Sequence, residues 1–254
     1  MMSKTITIVN QKGGVGKTTT AINLSASLSF LGKRTLLIDT DTQGNTTSGL
    51  GFDKNEIEFT IYEILTSQCT LRDAIVHTDL ENLDLIGSNI NLAGASVELV
   101  NVSEREKILK NSLKDVEDEY DYILIDSPPA LGLITLNNLT AAESVMIPLQ
   151  CEYYALEGMS ELLDTIFLVQ KNLNPDLTIE GILMTMYDRR TNLSKQVVGE
   201  VKNYFGDKVY STIIPRNVKL GEAPSFGKPA IIYSPESTGA QAYMELAKEV
   251  ISHG

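Results

Sequence analysis

Asn10-Gln11-Lys12-Gly13-Gly14-Val15-Gly16-Lys17-Thr18-Thr19-Thr20 follows an apolar, β-branched run, Thr5-Ile6-Thr7-Ile8-Val9. It precedes apolar residues at helical spacing, Ala21, Leu24, Leu28 and Leu31, which end at Gly32. Gly13, Gly14 and Gly16 let the backbone curl with its N–H groups pointing inward, and a helix starting directly behind them presents its positive end to an anion. These are the features of a phosphate-binding loop. Lys17 is placed to reach β- and γ-phosphates, and the Thr18 hydroxyl to complete a Mg²⁺ shell. A plain glycine-rich turn would explain the glycines but not two lysines and three threonines at this spacing.

Working outward, Thr35-Leu36-Leu37-Ile38 reads as a buried parallel strand that ends at Asp39-Thr40-Asp41. Strand, loop, helix and strand make a right-handed crossover, which brings both aspartates to the carboxyl edge of the sheet beside the loop. Tyr122-Ile123-Leu124-Ile125-Asp126, followed by Ser127-Pro128-Pro129, is a second apolar strand ending in a carboxylate. Asp126 is expected to hold a Mg²⁺-bound water next to Thr18. Further strands are expected at 83–86, 144–149, 179–184 and 209–214, and helices from Ser103 to Glu119, from Leu156 to Val169, over 197–204 and over 236–251. The helix at 103–119 is read as starting on a capping box, Ser103 with Glu106. The fold class implied is α/β, a mostly parallel central sheet with helices on both faces, in one domain spanning 1–254.

The stretch Lys12 to Thr19 departs from the strict loop pattern, with Gln11 where glycine is expected and a second lysine, Lys12, beside it. In this it resembles the deviant phosphate loop of the ParA/MinD ATPases, and the likeness runs from Thr5 to about Ile251. The resemblance implies ATP and Mg²⁺ as cofactors, with Lys12 to Thr19 around the phosphates and Lys12 reaching across a twofold interface to the nucleotide of a second protomer. Asp39-Thr40-Asp41-Thr42-Gln43-Gly44-Asn45 resembles the family's first switch region. That likeness puts Asp41 beside the attacking water and Asp39 near the Mg²⁺ shell with Thr18 and Asp126; either aspartate could instead cap the next segment. Thr42 stands where the family commonly has proline, which softens the turn. Gln150 to Gly158 resembles the chromosomal branch, where the loop lies near the subunit interface. Pro215-Arg216-Asn217 resembles the loop that encloses adenine, so Pro215 and Asn217 are the base-pocket candidates. Arg190 matches a family arginine that binds DNA without sequence preference, and Lys219 stands at a second such position; Arg189 and Lys195 are grouped with them. The implied function is a weak ATPase that dimerises on ATP, binds double-stranded DNA and is released when a ParB-type partner stimulates hydrolysis.

Charge is distributed unevenly enough to bear on this. The chain of 254 residues carries a net charge of −12. Residues 53–126 hold 6 basic and 17 acidic side chains, whereas 185–228 hold 8 basic and 4 acidic. Only the second stretch could dock an anionic surface, unless its charges are merely scattered and solvated. Cys69 and Cys151 have no metal or CxxC spacing and read as reduced, packed thiols. No apolar run spans a bilayer and no signal peptide precedes the first strand, so the expectation is a cytoplasmic, nucleoid-associated protein without a membrane partner. The alternatives each need something more. A MinD-type membrane ATPase requires a basic amphipathic tail, a cluster-carrying relative requires axial cysteines, and a carboxylate-activating ligase requires a substrate pocket.

Overall fold

The computed structural model describes residues 3–153, 155–156 and 159–253. The first half runs β1 (Lys4–Ile8), α1 (Lys17–Phe30), β2 (Thr35–Asp39), α2 (Asn45–Gly49), α3 (Ile61–Leu65), β3 (Ile75–His77), β4 (Leu83–Ile86), α4 (Leu92–Glu98) and α5 (Ile108–Leu113). The second half runs β5 (Tyr122–Asp126), α6 (Leu133–Ala141), β6 (Ser144–Gln150), α7 (Met159–Asn172), β7 (Thr178–Thr185), α8 (Asn192–Phe205), α9 (Val218–Glu222), α10 (Ala230–Tyr233) and α11 (Thr238–Ser252). The expected start of α7 falls partly on Glu157 and Gly158, which lie outside the described residues, as does Tyr154 of the interface-like loop.

Strands buried on both faces must be apolar along their whole length, and β2 and β5 are buried at every position. The seven strands form one sheet in the order β3-β4-β2-β5-β1-β6-β7, parallel throughout except for the short edge strand β3. Alternate side chains serve opposite layers. Leu37, Leu124 and Ile6 pack under α1 and α11, with Leu28, Tyr243 and Leu246. Leu36, Ile38, Ile123 and Ile125 pack on the other face against residues of α3, α4 and α5. Val145, Ile147 and Ile182 continue that face beneath α7 and α8. Cys69 and Cys151 are free thiols.

β5 lies between β1 and β2, so the crossover from the loop strand to the aspartate strand skips one position. The register pairs Ile8 with Asp126 and Asp39 with Asp126. Three strand ends therefore deliver the loop and both carboxylates to one point of the carboxyl edge.

Three expectations need correction. Residues 103–119 are not one helix: Glu104 has φ +53°, and regular helix runs only from Ile108 to Leu113. Buried Asn137 of α6 donates to the Arg105 carbonyl at 2.8 Å and accepts from Leu109 N at 3.2 Å, so it caps the helix from the side at a point Ser103 does not reach. The capping box in this region is Thr60 with Glu63 instead. Residues 209–214 touch β7 only at isolated points, Tyr210 N to Ile182 O and Ile214 N to Met184 O. Between them the amides of Ser211 and Thr212 donate to the Glu249 carboxylate at 2.6 and 2.9 Å, which pulls them out of the ladder. Finally, β3 adds a strand that the acidic segment 53–121 did not advertise.

Glu249→Ala leaves those two amides to water. Hydrogen bonds to charged groups contribute about 1.5–3 kcal/mol when buried, and this site is partly exposed, so the unfolding free energy should fall by about 1–2 kcal/mol. A urea titration measures it.

Candidate nucleotide site

The loop is held from three directions. Asn10, buried just past β1, donates from Nδ2 to Pro148 O of β6 at 2.8 Å and accepts from Lys12 N at 3.0 Å. Thr185 at the end of β7 donates to Val15 O at 2.8 Å. Thr20 N donates to Gly16 O at 2.8 Å and starts α1. Between these anchors Gly14 and Gly16 adopt φ +74° and +96°, the left-handed conformation in which a side chain is strained. Lys17 is buried, with Nζ 3.4 Å from Lys12 O. Burial lowers its pKa, opposed by the charges of Asp126 and Asp41. The loop is a cradle of amides with one ammonium inside it.

Asp126 is the point at which the surrounding segments meet. Its Oδ2 accepts from Thr18 Oγ1 at 2.9 Å and Thr46 Oγ1 at 2.7 Å, while its Oδ1 is buried with no donor among the described residues. Asp39 differs, because Oδ2 accepts from Thr47 N and Oγ1 at 2.9 and 2.7 Å, and Oδ1 from Asp41 N at 3.1 Å. Asp39 thus sits beside Asp126 but turns its oxygens to Asp41 and to Thr47 in the first turn of α2, whose amide it caps. Burial, and then the charge of Asp39, push Asp126 up to about 7; burial pushes Asp39 up to about 6 against its Thr47 hydrogen bonds. Two adjacent buried carboxylates, one with an unfilled oxygen beside a threonine hydroxyl, suit a hard cation bound through oxygen. No group of three or more His, Cys, Asp or Glu among the described residues forms a metal site by itself.

Two adjoining cavities share Gly16, Thr19 and Met186. One, about 280 Å³, is lined by Gly13, Gly14, Lys17, Thr18 and Asp41, with Asn45 and Pro129. The other, about 190 Å³ and mainly apolar, is lined by Pro215 and Asn217 with Ile214, Leu220 and Tyr243. Phosphates and a base fit this division. Asp41 caps no helix: its Oδ1 accepts from Gln43 N and its carbonyl from Gly44 N, which closes the turn without a proline at 42. A larger cavity of about 420 Å³, around Lys4, Glu143 and Glu180, lies at the opposite, amino edge of the sheet.

The second lysine is outside the cradle. Lys12 Nζ lies 3.6 Å from a carboxylate oxygen of Glu152, both side chains being partly exposed. Glu152 is also 3.9 Å from the Arg216 guanidinium. Backbone bonds from Tyr187 N to Ile214 O and Arg216 N to Tyr187 O join the loop carrying Arg189 and Arg190 to the one leading to Lys219. Arg189 and Lys195 are exposed. Arg190 is held by Asp188, 2.9 and 2.7 Å across the pair, and Lys219 by Glu222 at 2.8 Å beside the Tyr233 ring.

Sequence reasoning overlooked Asn10, Thr46, Thr47, Glu152, Thr185 and Met186. Thr46-Thr47 directly follows the switch-like stretch and is legible there, because hydroxyls in that position can bond the two strand-end aspartates. Met186, with φ +52°, carried no signal.

A phosphate loop at the carboxyl edge of a parallel sheet, with an aspartate strand beside it, defines a phosphate-loop nucleotide hydrolase. The model of the family described as "AAA domain" matches residues 3–179. Sporulation initiation inhibitor protein Soj of Bacillus subtilis is 60% identical over 253 residues, 100% of both chains. Chromosome partitioning protein ParA of Myxococcus xanthus is 54% identical over 250 residues, 98% of this chain and 88% of that one. Among solved structures, cobyrinic acid a,c-diamide synthase from Mycobacterium smegmatis with bound ADP and magnesium aligns with TM-score 0.87 and 38% identity, covering 99% of this chain and 95% of that one. The chain belongs to the AAA-domain family of phosphate-loop ATPases that includes Soj and ParA. No helix among the described residues is long and apolar enough to cross a membrane.

The raised carboxylates make stability depend on pH. Folded Asp39 and Asp126 bind protons more tightly than the unfolded chain, so free of metal and nucleotide they cost stability as pH rises from about 4 to about 7. Relative to wild type, Asp126→Asn should gain about 1–3 kcal/mol between pH 5 and pH 8, read from urea midpoints at the two values.

Proposed function

We propose that the chain is a DNA-partitioning ATPase whose two protomers enclose two molecules of ATP, bind DNA without sequence preference, and let go when a ParB-type partner stimulates hydrolysis. One observation carries this reading. Lys17 already occupies the cradle, whereas Lys12 stands at its rim with its ammonium partly exposed and 3.6 Å from an equally accessible Glu152. An exposed pair of this kind is worth only about 0–1 kcal/mol, so Lys12 is readily given to the phosphates of a neighbour.

In this scheme the amides of Gly13 to Thr19 and Lys17 bind the triphosphate, and Pro215 and Asn217 border the base. Mg²⁺ held by Thr18 and Asp126 would neutralise phosphate charge. Asp39 keeps the 41–47 loop in place, and Asp41 at the mouth of the phosphate cavity orients water. The Soj and ParA relatives, at 60% and 54% identity across nearly the whole chain, support partition over the amide-forming activity named for the 38% identical structure.

Arg189, Arg190, Lys195 and Lys219 form the DNA surface. Their charges act on phosphates, and a protein with roughly 6–10 phosphate contacts loses about 10³ to 10⁵ in affinity between 50 and 200 mM salt. A dimer doubles the contacts, which ties DNA binding to ATP. The ATP-bound dimer is therefore the nucleoid-associated form.

Lys12→Ala should abolish ATP-dependent dimers in sedimentation while nucleotide still binds the monomer; an unchanged profile refutes the cross-subunit role. DNA retention at moderate salt should need ATP, with ADP giving background only. Arg190→Ala should lower the slope of log affinity against log salt by about 1 per contact removed.

A further inference from the structure

The segment from Ile90 through α4 to the turn after it carries two apolar stripes. Leu92, Ala95 and Leu99 are buried in the core. Ile90 just before α4, Ala93 and Val97 on it and Val100 in the 3-10 turn after it are spaced 3-4-3 along the chain, and the three large ones are 65%, 75% and 56% exposed. Scattered exposed aliphatics are ordinary, but a helical stripe of them is the mark of a contact surface.

The rim of this stripe is acidic. Glu98 lies on the same helix, held by the Tyr62 hydroxyl at 2.8 Å. Exposed Glu56 and Glu58 are brought to its start by Asn89 Nδ2 donating to Lys54 O at 3.4 Å and by Ile57 packing on Gly87. The nearby cations are engaged within the chain, Lys54 with Gln43 O, Arg105 with Glu106 and Val100 O, and Lys107 with Glu104. Residues 53–126 total 6 basic and 17 acidic side chains, so a second copy of this chain would meet like charge.

The stripe also begins two residues after Ser88, which is bonded to the segment that follows Asp41. Ser88 N donates to Thr47 Oγ1 at 2.9 Å, and that hydroxyl donates to Asp39 at 2.7 Å. Gly44 packs so closely on the Ser88 carbonyl that a Cβ there would lie 2.5 Å from it.

We propose that the stripe Ile90-Val97-Val100 docks a basic amphipathic segment of the hydrolysis-stimulating partner, which acts on the 41–47 loop through Ser88 and Thr47. This rests on the partition reading above. The probe is a full-length ParB-type protein from the same organism, with ATP and DNA. Hydrogen exchange at 87–102 should slow when it is added, and Val97→Ser/Val100→Ser should cut stimulation at least tenfold while basal hydrolysis and ATP-dependent DNA retention stay at wild type. Glu56→Lys/Glu58→Lys, which leaves the stripe intact, should shift half-stimulation severalfold to higher partner concentration. Full stimulation of the serine variant overturns the proposal, as does loss of its ATP-dependent retention, which would assign the stripe to contact between copies. A wild type that retains DNA equally with ADP and ATP refutes the partition reading instead, and the docking proposal with it. Single Val97→Ser, on the most exposed position, separates lost contact from lost fold.

Discussion

Asp126 accepting from Thr18 and Thr46 through a single oxygen is the contact on which the rest of the structure turns. One donor belongs to the phosphate loop, the other to the loop after β2, and the acceptor to the strand between them. Burying a carboxylate without partners is prohibitive, and with two hydroxyls it is affordable but still unfavourable enough to raise its proton affinity. The other oxygen of Asp126 takes no donor from the described residues. Asp39, by contrast, has filled its valences with Thr47 and Asp41. Two carboxylates paired in register thus divide their work, one left open toward the ligand and one spent on holding a loop.

The same division separates the two lysines. Lys17 is enclosed, with the charges of Asp126 and Asp41 countering its burial. Lys12 is displaced to the rim and rests against Glu152, which also meets Gln150 and Arg216. The basic residues of that loop are not simply displayed. Asp188 clasps Arg190 and Glu222 clasps Lys219, and the Arg190 guanidinium holds the Asp188 carboxyl well below its usual range. These ion pairs offset part of the positive charge, so the patch is attenuated compared with the balance of 8 basic to 4 acidic residues in its segment.

How much could be read beforehand follows from where each determinant resides. The phosphate loop, β5 with Asp126 and β2 with Asp39 are specified by neighbours in sequence, and the observed strand at Tyr122–Asp126 has the bounds its apolar run implies. The strand expected at 209–214 failed because its amides are claimed by Glu249, 37 and 38 residues downstream, which no local pattern contains. The helix from Ser103 failed for the same reason, with Asn137 reaching in from α6. In the site, Lys17, Thr18 and Asp126 were legible from spacing alone. Thr46 and Thr185 were not, since their importance lies in which strand end the fold sets opposite them. The acid partners of Arg190 and Lys219 stand two and three residues away, and a charge balance over the whole segment does not resolve such pairs.

The insertion of β5 between β1 and β2 has a temporal corollary. During synthesis β1 with the phosphate loop and β2 emerge early, yet the strand that lies between β1 and β2 follows some eighty residues later, at 122–126. Until then β1 and β2 have no common neighbour, and the nascent chain cannot assemble a competent ligand site. Long-range parallel pairing of this sort is slow. The chain therefore lacks this arrangement for the first half of its translation, and a truncated product ending before Tyr122 would carry the most recognisable motif in the sequence with nothing to complete it.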